Sequence, residues 1–210
     1  LTDGSASIQV LGGKNQWCPQ FVRLCAELKG TPVKELYIRD TWISDLALLH
    51  GMQLKHLSIS LAPVSNLAPI HDMPLTKLFL DGTSVSDLTP LKGMPLKSLS
   101  LGGSKVCDLA PLKGMVLEEL CLIETNVSDL TPIHGMPMHT LVLEGGKVSD
   151  FTPLIGMPLK KLHLNNTKIS DLALFKGMPL EWLELNSTEV GDLTPIQGMA
   201  LTGLLLDQTK

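Results

Sequence analysis

The strongest constraint on this 210-residue chain is a 21-residue unit that repeats without insertion or deletion. Its first position falls at nine evenly spaced residues: Val33, Leu54, Leu75, Leu96, Leu117, Met138, Leu159, Leu180 and Leu201. Nine units in phase cannot come from biased composition, so the period takes precedence over any local pattern. We therefore predict a solenoid, in which every unit forms one coil that packs only on its neighbours. Positions are numbered 1 to 21 from the first residue of each unit.

Seven positions of the unit are apolar, and together they predict the core. Positions 1, 4 and 6 predict a strand whose apolar side chains enter the core. In the unit that begins at Leu75, positions 11, 14, 17 and 20 are Val85, Leu88, Leu91 and Met94. Position 20 holds eight of the nine methionines, which we interpret as a stacked row of flexible core side chains rather than a metal site.

Position 13 carries the residues Asp45, Asn66, Asp87, Asp108, Asp129, Asp150, Asp171 and Asp192. Each side chain can accept a hydrogen bond from the free N–H groups of a following turn. Pro at position 16 and Gly at position 19 predict one short 3₁₀ or α turn that ends in a left-handed residue. Capping explains the acidic row better than calcium binding does, because no second column of carboxylates accompanies it.

Position 9 is Thr or Ser in seven units, and a buried hydroxyl needs a backbone partner. We expect these hydroxyls to form a ladder that ties each coil to the next. The second unit departs most from the pattern, with Asp72 in place of Gly at position 19. A local functional feature and neutral drift explain that departure equally well.

Residues 1–32 do not follow the unit and predict an N-terminal cap made of a strand and an amphipathic helix. Ile8 and Val10 alternate as in a strand, and Gly12-Gly13 turns the chain. The helix would present one apolar stripe to the core: Phe21, Leu24, Cys25 and Leu28. The repeats then occupy residues 33–210, the ninth being truncated after its strand. We expect the natural chain to continue past Lys210, or the open end to meet a second copy.

The unit Leu-x-x-Leu-x-Leu-x-x-Thr-x-Val-Ser-Asp-Leu-Thr-Pro-Leu resembles the leucine-rich repeat in its short bacterial, internalin-like form. The resemblance covers residues 33–210, although Thr replaces the usual Asn and the period is 21 rather than 22. It implies an α/β solenoid with a parallel sheet on the concave side, short 3₁₀ turns on the convex side and gentle curvature. Similar repeats accompany kinase domains in large bacterial proteins, but no kinase signature is present in this chain.

Charge, hydropathy and cysteine usage exclude several classes of function. The net charge is -4 without a basic stripe, which argues against nucleic acid as a partner. No apolar run approaches the roughly 18 residues of a membrane helix. The cysteines show neither metal-site nor disulfide spacing and predict free thiols: Cys18, Cys25, Cys107 and Cys121. Free thiols favour a reducing, cytoplasmic compartment, although a removed signal peptide stays open.

The resemblance places positions 3, 5 and 7 on the concave face, where three groups of residues stand out. The first group combines aromatic rings with a guanidinium: Tyr37, Arg39, Trp42, His56 and Phe79. The second group is apolar: Cys121, Ile123 and Val142. It is ringed by three glutamates, Glu119, Glu124 and Glu144. The third group is mixed and includes His163 and Trp182, with Lys161, Asn165 and Glu184. Aromatic side chains and Arg are enriched at binding hot spots, so we predict that these groups contact a partner.

Catalysis, cofactors and metal binding are not predicted. Cys121 and His163 share position 5 but lie two strands apart, about 10 Å, beyond the reach of a nucleophile and its base. His50 and His71 share position 18 in adjacent units, and two ligands without a third make weak evidence for a metal. We therefore predict a non-enzymatic module that binds a protein through its concave face. The alternatives are a sensor or scaffold segment of a larger bacterial signalling protein, and a structural module that self-associates through its uncapped C-terminal end.

Overall fold

A single open sheet of ten parallel strands, hydrogen-bonded in chain order, forms the frame of the molecule. The structure, a computed structural model, describes residues 6–11 and 18–209. The first strands are β1 (Ala6–Leu11), β2 (Val33–Arg39), β3 (His56–Ser60), β4 (Lys77–Phe79) and β5 (Ser98–Ser100). The others are β6 (Glu119–Cys121), β7 (Thr140–Val142), β8 (Lys161–His163), β9 (Trp182–Glu184) and β10 (Gly203–Leu205).

The 21-residue period fixes the register of the sheet. From β2 to β10, each strand pairs with residues one period away, so that Leu57, Leu78 and Leu99 lie side by side. These position-4 leucines are buried, and the residues at positions 6, 11 and 17 lie behind them in one continuous core. Seven of the eight position-20 methionines are buried, and Met199 packs against the same core. The predicted solenoid and the row of core methionines are confirmed.

The N-terminal segment adds a tenth strand to the nine that the units supply. β1 pairs in parallel with β2, from Ala6 beside Val33 to Leu11 beside Arg39. The helix α1 (Cys18–Leu28) follows, with Phe21 and Cys25 buried in the core. The predicted strand and helix are therefore present, whereas the predicted Gly12-Gly13 turn lies outside the described residues. No helix of residues 6–11 or 18–209 is long and apolar enough to cross a membrane.

Short 3₁₀ turns form the convex side of the coils, as the spacing of Asp, Pro and Gly predicts. They span Ala47–Leu49, Ala68–Ile70, Thr89–Leu91, Ala110–Leu112, Thr131–Ile133, Thr152–Leu154, Leu172–Phe175 and Thr194–Ile196. At position 13 all eight side chains accept a hydrogen bond from the backbone N–H two residues later, at 2.7–2.9 Å. The capping role of the acidic row is confirmed.

The end of the turn depends on the residue at position 19. Gly93 has φ +76°, a left-handed conformation that costs a residue with a Cβ free energy. In the second unit Asp72 occupies this position, and the preceding residue His71 adopts helical angles (φ -53°, ψ -42°). The corresponding residue of the other turns is extended, with ψ between 124° and 134°. The departure of the second unit is thus a local change of turn geometry.

The expectation that the position-9 hydroxyls bond to the neighbouring coil is wrong, because they bond within their own coil. The position-9 hydroxyls are buried, but Thr83 donates to the Leu80 carbonyl of its own coil at 2.7 Å. Thr125, Thr167 and Thr188 make the same bond. A side chain that leaves the strand at this point can reach the carbonyl three residues earlier, and this bond closes the bend. Neighbouring coils are joined by backbone bonds instead, such as Ser84 N–H to the Val64 carbonyl at 2.8 Å.

The last coil exposes apolar side chains that the earlier coils bury. Leu193, Leu204, Leu205 and Leu206 are 36–40% exposed. Leu193 and Leu204 also line a shallow depression of about 390 Å³. Leu193, Leu204 and Leu206 are at positions 14, 4 and 6, which the earlier units bury in the core, whereas Leu205 is at position 5 of the concave face.

Candidate functional site: the concave face of the sheet

One face of the sheet carries the residues of positions 3, 5 and 7, opposite to the core. On β4, Leu78 is buried, whereas Lys77 is exposed and Phe79 is half-buried. The same alternation follows from the strand geometry, in which successive side chains point to opposite faces. The described parts of β2 to β10 therefore present one broad surface of varied residues, as predicted.

Three rings from the first predicted group form a row across β2, β3 and β4. The ring centroids of Tyr37 and His56 are 4.9 Å apart with an interplanar angle of 65°. Those of His56 and Phe79 are 5.1 Å apart at 88°. Such edge-to-face contacts are favourable and hold the rings in defined positions. We call Tyr37, His56 and Phe79 the aromatic row.

Hydrogen bonds and burial keep the aromatic row neutral. The Tyr37 hydroxyl lies 3.1 Å from His56 Nδ1 and 3.2 Å from a Glu35 carboxylate oxygen. Burial lowers the pKa of His56 and nearby Lys77 adds to this, although Glu35 opposes it, so the imidazole is neutral at pH 7. Burial and Glu35 raise the pKa of Tyr37, which keeps its hydroxyl protonated. His56 Nε2 is buried without a hydrogen-bond partner among the described residues.

Arg39 and Trp42, the other members of the first predicted group, lie outside the aromatic row. The Arg39 guanidinium is 3.6 Å from the Asp40 carboxylate, and both side chains are exposed. Trp42 follows β2 by three residues and is 70% exposed. Both stay predicted contact residues at the border of the face.

A shallow depression of about 330 Å³ links the first predicted group to the second. Phe79 forms one wall, and Cys121 and Val142 form the other. Burial raises the pKa of the Cys121 thiol, which remains protonated. Ile123, the third member of the second group, is exposed beside the depression rather than part of its lining. The two groups therefore share one strip of largely apolar surface, which a column-by-column comparison of the units does not reveal. The lining of the depression also includes polar residues: Asp81, Ser98, Ser100, Glu119 and Thr140.

The third predicted group is built around two carboxylates. His163 Nδ1 lies 3.1 Å from Glu184 Oε2 and 3.8 Å from Glu144 Oε1. The Asn165 amide donates to both carboxylates, at 3.1 Å to Glu144 and 2.7 Å to Glu184. The Trp182 indole donates to Glu184 at 2.8 Å. We call Glu144, His163 and Glu184 the carboxylate–histidine cluster.

These contacts settle the protonation state of Glu184. Burial alone would raise its pKa, but the hydrogen bonds from Trp182 and Asn165 and the charge of His163 outweigh burial and leave the pKa lowered. The side chain is therefore an ionised carboxylate at neutral pH.

The sequence analysis assigned Glu144 to the second group and so missed its contact with His163. Glu144 is at position 7 and His163 is at position 5 of the next unit. A diagonal comparison of positions 5 and 7 in adjacent units would have found the pair, because neighbouring strands lie only about 4.8 Å apart.

Comparisons with known proteins agree on the fold. No protein-family model matches the chain, and no curated protein matches it. An internalin (inlF) from Listeria monocytogenes is 27% identical, with a TM-score of 0.78 over 89% of this chain and 58% of that protein. An internalin C2 (inlC2) from the same organism is 23% identical, with a TM-score of 0.76 over 87% and 83%. The functional domain of InlJ, which includes a cysteine ladder, is 18% identical with a TM-score of 0.59 over 85% and 40%.

The chain has the leucine-rich repeat fold. Its ten parallel strands and 3₁₀ turns match the solved internalins, so the predicted fold class is confirmed. The chain spans 58% of the length of the inlF internalin. The division into a cap of residues 1–32 and repeats of residues 33–210 stays a prediction.

Proposed function

We propose that this leucine-rich repeat protein is a non-enzymatic interaction module that binds a protein partner through its concave face. The observation that carries the proposal is the largely apolar strip that runs from Tyr37 through Phe79 to Val142 on an open sheet and is crossed at β5 by Ser100. A contiguous apolar patch on the surface of a protein marks a contact site. The likeness to internalins supports an interaction module in general.

The aromatic row has the physical properties of a binding hot spot. Its rings are large, and each has only two side-chain torsions to immobilise, so they contact much area at a low cost in entropy. The edge-to-face contacts of His56 with Tyr37 and Phe79 already restrict these torsions in the free protein. Binding therefore loses little further side-chain freedom.

The charges around the strip indicate the chemistry of the partner. Positions 3, 5 and 7 carry three cations: Arg39, Lys77 and Lys161. They carry six carboxylates: Glu35, Asp81, Glu119, Glu144, Glu184 and Asp207. Complementary charge steers association and suppresses wrong partners. We therefore propose a partner with an apolar centre bordered by Lys or Arg side chains.

Replacing two rings of the aromatic row tests the proposal. The purified chain is used to capture proteins from a lysate of the source cell, and the captured protein is then purified and titrated against each variant. Tyr37→Ala combined with Phe79→Ala should weaken binding by more than about 1 kcal/mol, because truncation of hot-spot residues has this effect. Both side chains are only half-buried, so the variant should keep its fold.

Ile155→Ala is the matched control, since Ile155 is an exposed apolar residue at the end of a convex 3₁₀ turn. This variant should bind as the wild type does. Equal affinity of the double variant and the wild type, with circular dichroism showing both folded, would contradict concave-face binding. A loss of affinity in Ile155→Ala alone would move the interface to the convex side.

Self-association is a second candidate, favoured by the exposed leucines of the last coil. Leu204 on β10 and Leu206 directly after this strand are core positions in the other units, and here they are 39% and 36% exposed. Replacing Leu204 and Leu206 with Lys should convert an associating protein into a monomer in sedimentation velocity. A wild-type protein that sediments as a monomer at high concentration would reject this candidate.

A further inference from the structure

We propose that the carboxylate–histidine cluster binds a first-row divalent transition-metal ion such as Zn²⁺. The residues Glu144, His163 and Glu184 come from three consecutive coils, and one ligand atom of each lies within 4.8 Å of the others. Among the described residues, no other group of three or more His, Cys, Asp and Glu side chains converges in this way. The inference does not depend on the proposed protein partner.

The distances in the cluster match those of a coordination sphere. Zn²⁺ is bound by His nitrogen and carboxylate oxygen at about 2.0–2.2 Å, so two ligand atoms around one ion are about 3.0–3.5 Å apart. His163 Nδ1 and Glu184 Oε2 are 3.1 Å apart, the distance of the hydrogen bond that joins them, so a metal ion would replace the shared proton with little movement of either atom. His163 Nδ1 and Glu144 Oε1 are 3.8 Å apart, which a small rotation of the glutamate closes.

The surrounding residues hold the carboxylates in place. Trp182 donates to Glu184 Oε1 and leaves Oε2 facing the imidazole. Asn165 donates to the inward oxygens of Glu144 and Glu184, and its own carbonyl accepts the Asn186 N–H at 2.9 Å. Each carboxylate oxygen has two lone pairs, so the bond from Asn165 leaves one for a metal ion. Such outer partners orient the ligands of a metal site.

The electrostatics of the cluster favour a cation. The side chains of Glu144, His163 and Glu184 are only 27%, 22% and 15% exposed, so water screens the two carboxylates incompletely. Two negative charges within 4.8 Å repel each other, and a divalent ion among them removes that repulsion. The imidazole nitrogen distinguishes this cluster from the acidic row at position 13 and selects a transition metal over calcium or magnesium.

The strand geometry explains why the ligands converge. Val142, His163 and Glu184 are directly paired across β7, β8 and β9. Glu144 lies two residues beyond Val142 on the same face, beside the end of β8. Two of the ligands, His163 and Glu184, are thus on strands, and Glu144 is in the turn that directly follows β7. Three protein ligands leave further coordination positions open toward the concave side.

Calorimetric titration of the full chain with ZnCl₂ tests the site. We expect one ion per chain in the wild type, and an affinity at least about tenfold lower in His163→Gln and in Glu184→Gln, because each change removes one of three ligands. Glutamine preserves the size of both side chains, and thermal melting of each variant checks the fold. If His163→Gln does not fold, Glu144→Gln provides the same test through the second carboxylate.

Two control variants separate this site from adventitious binding. Glu119→Gln removes the same charge from the concave face, and His71→Gln removes a histidine from the convex side. Both should bind Zn²⁺ as the wild type does. The inference is overturned if the wild type takes up no ion at 100-fold molar excess. It is also overturned if all the variants bind equally, which would assign the ion to thiols or other histidines.

Discussion

The buried hydroxyls at position 9 allow a sharp test of what one hydrogen bond contributes to a coil. Thr83 and Ser104 occupy the same position in adjacent units, and each is only 4% exposed. Thr83 Oγ1 donates to the Leu80 carbonyl at 2.7 Å, whereas Ser104 Oγ has no partner among the described residues. The two residues therefore differ in hydrogen bonding while sharing their burial.

Thr83→Val should lower the free energy of unfolding by about 1 kcal/mol, the net contribution of one intramolecular hydrogen bond. Valine keeps the shape of threonine, so no cavity adds to the effect. The Leu80 carbonyl is not left without a partner, because it still accepts the Thr83 backbone N–H at 3.3 Å. Ser104→Ala should be neutral or slightly stabilising, since it removes a buried hydroxyl that makes no bond.

Urea denaturation followed by circular dichroism measures both variants, and about 1 kcal/mol corresponds to a roughly fivefold larger unfolded population. Hydrogen exchange of the amides in the two coils localises the effect, because neighbouring coils are coupled but not identical in stability. A loss in Ser104→Ala as large as that in Thr83→Val would refute the reasoning. It would mean that burial or packing of the side chain, and not its hydrogen bond, sets the contribution.

A glycine substitution and a pH titration test the turns on the convex side. Gly93→Ala should lower the free energy of unfolding by about 1 kcal/mol in urea denaturation, because a residue with a Cβ is strained at a φ of +76° even though the space around it is open. Gly191→Ala is the control, since Gly191 is equally open and has no positive φ, and its stability should not change. Equal losses of stability in the two variants would contradict a backbone cause. Hydrogen bonds from the Thr89 hydroxyl and backbone N–H hold the pKa of Asp87 below its ordinary 3.8. The ionised Asp87 therefore stabilises the folded protein fully above pH 3.8, and this contribution is lost as the pH falls through the lowered pKa of the folded state. NMR titration of the carboxyl carbon checks this, and a midpoint at or above 3.8 would count against it.

The sequence alone determined the coil. Its period, its apolar positions and the sequence of Asp, Pro and Gly in each turn are local features, and each is repeated often enough to exclude coincidence. The core leucines, the row of methionines and the caps from Asp45 to Asp192 therefore follow from the column of each residue. These features depend on contacts within one coil or between identical positions of adjacent coils.

Only the tertiary structure decided which different positions meet. Phe79 contacts His56 on the preceding strand and lines one depression together with Cys121. Glu144, at position 7 of one unit, contacts His163, at position 5 of the next unit. The acceptor of the Thr83 hydroxyl is likewise set by the side-chain rotamer and the bend of the backbone, which the repeat position of Thr83 does not determine. The physical reason is that spacing along the chain fixes the face on which a side chain lies. The few ångströms that join two side chains depend on the stagger of the strands and on the torsions of each side chain.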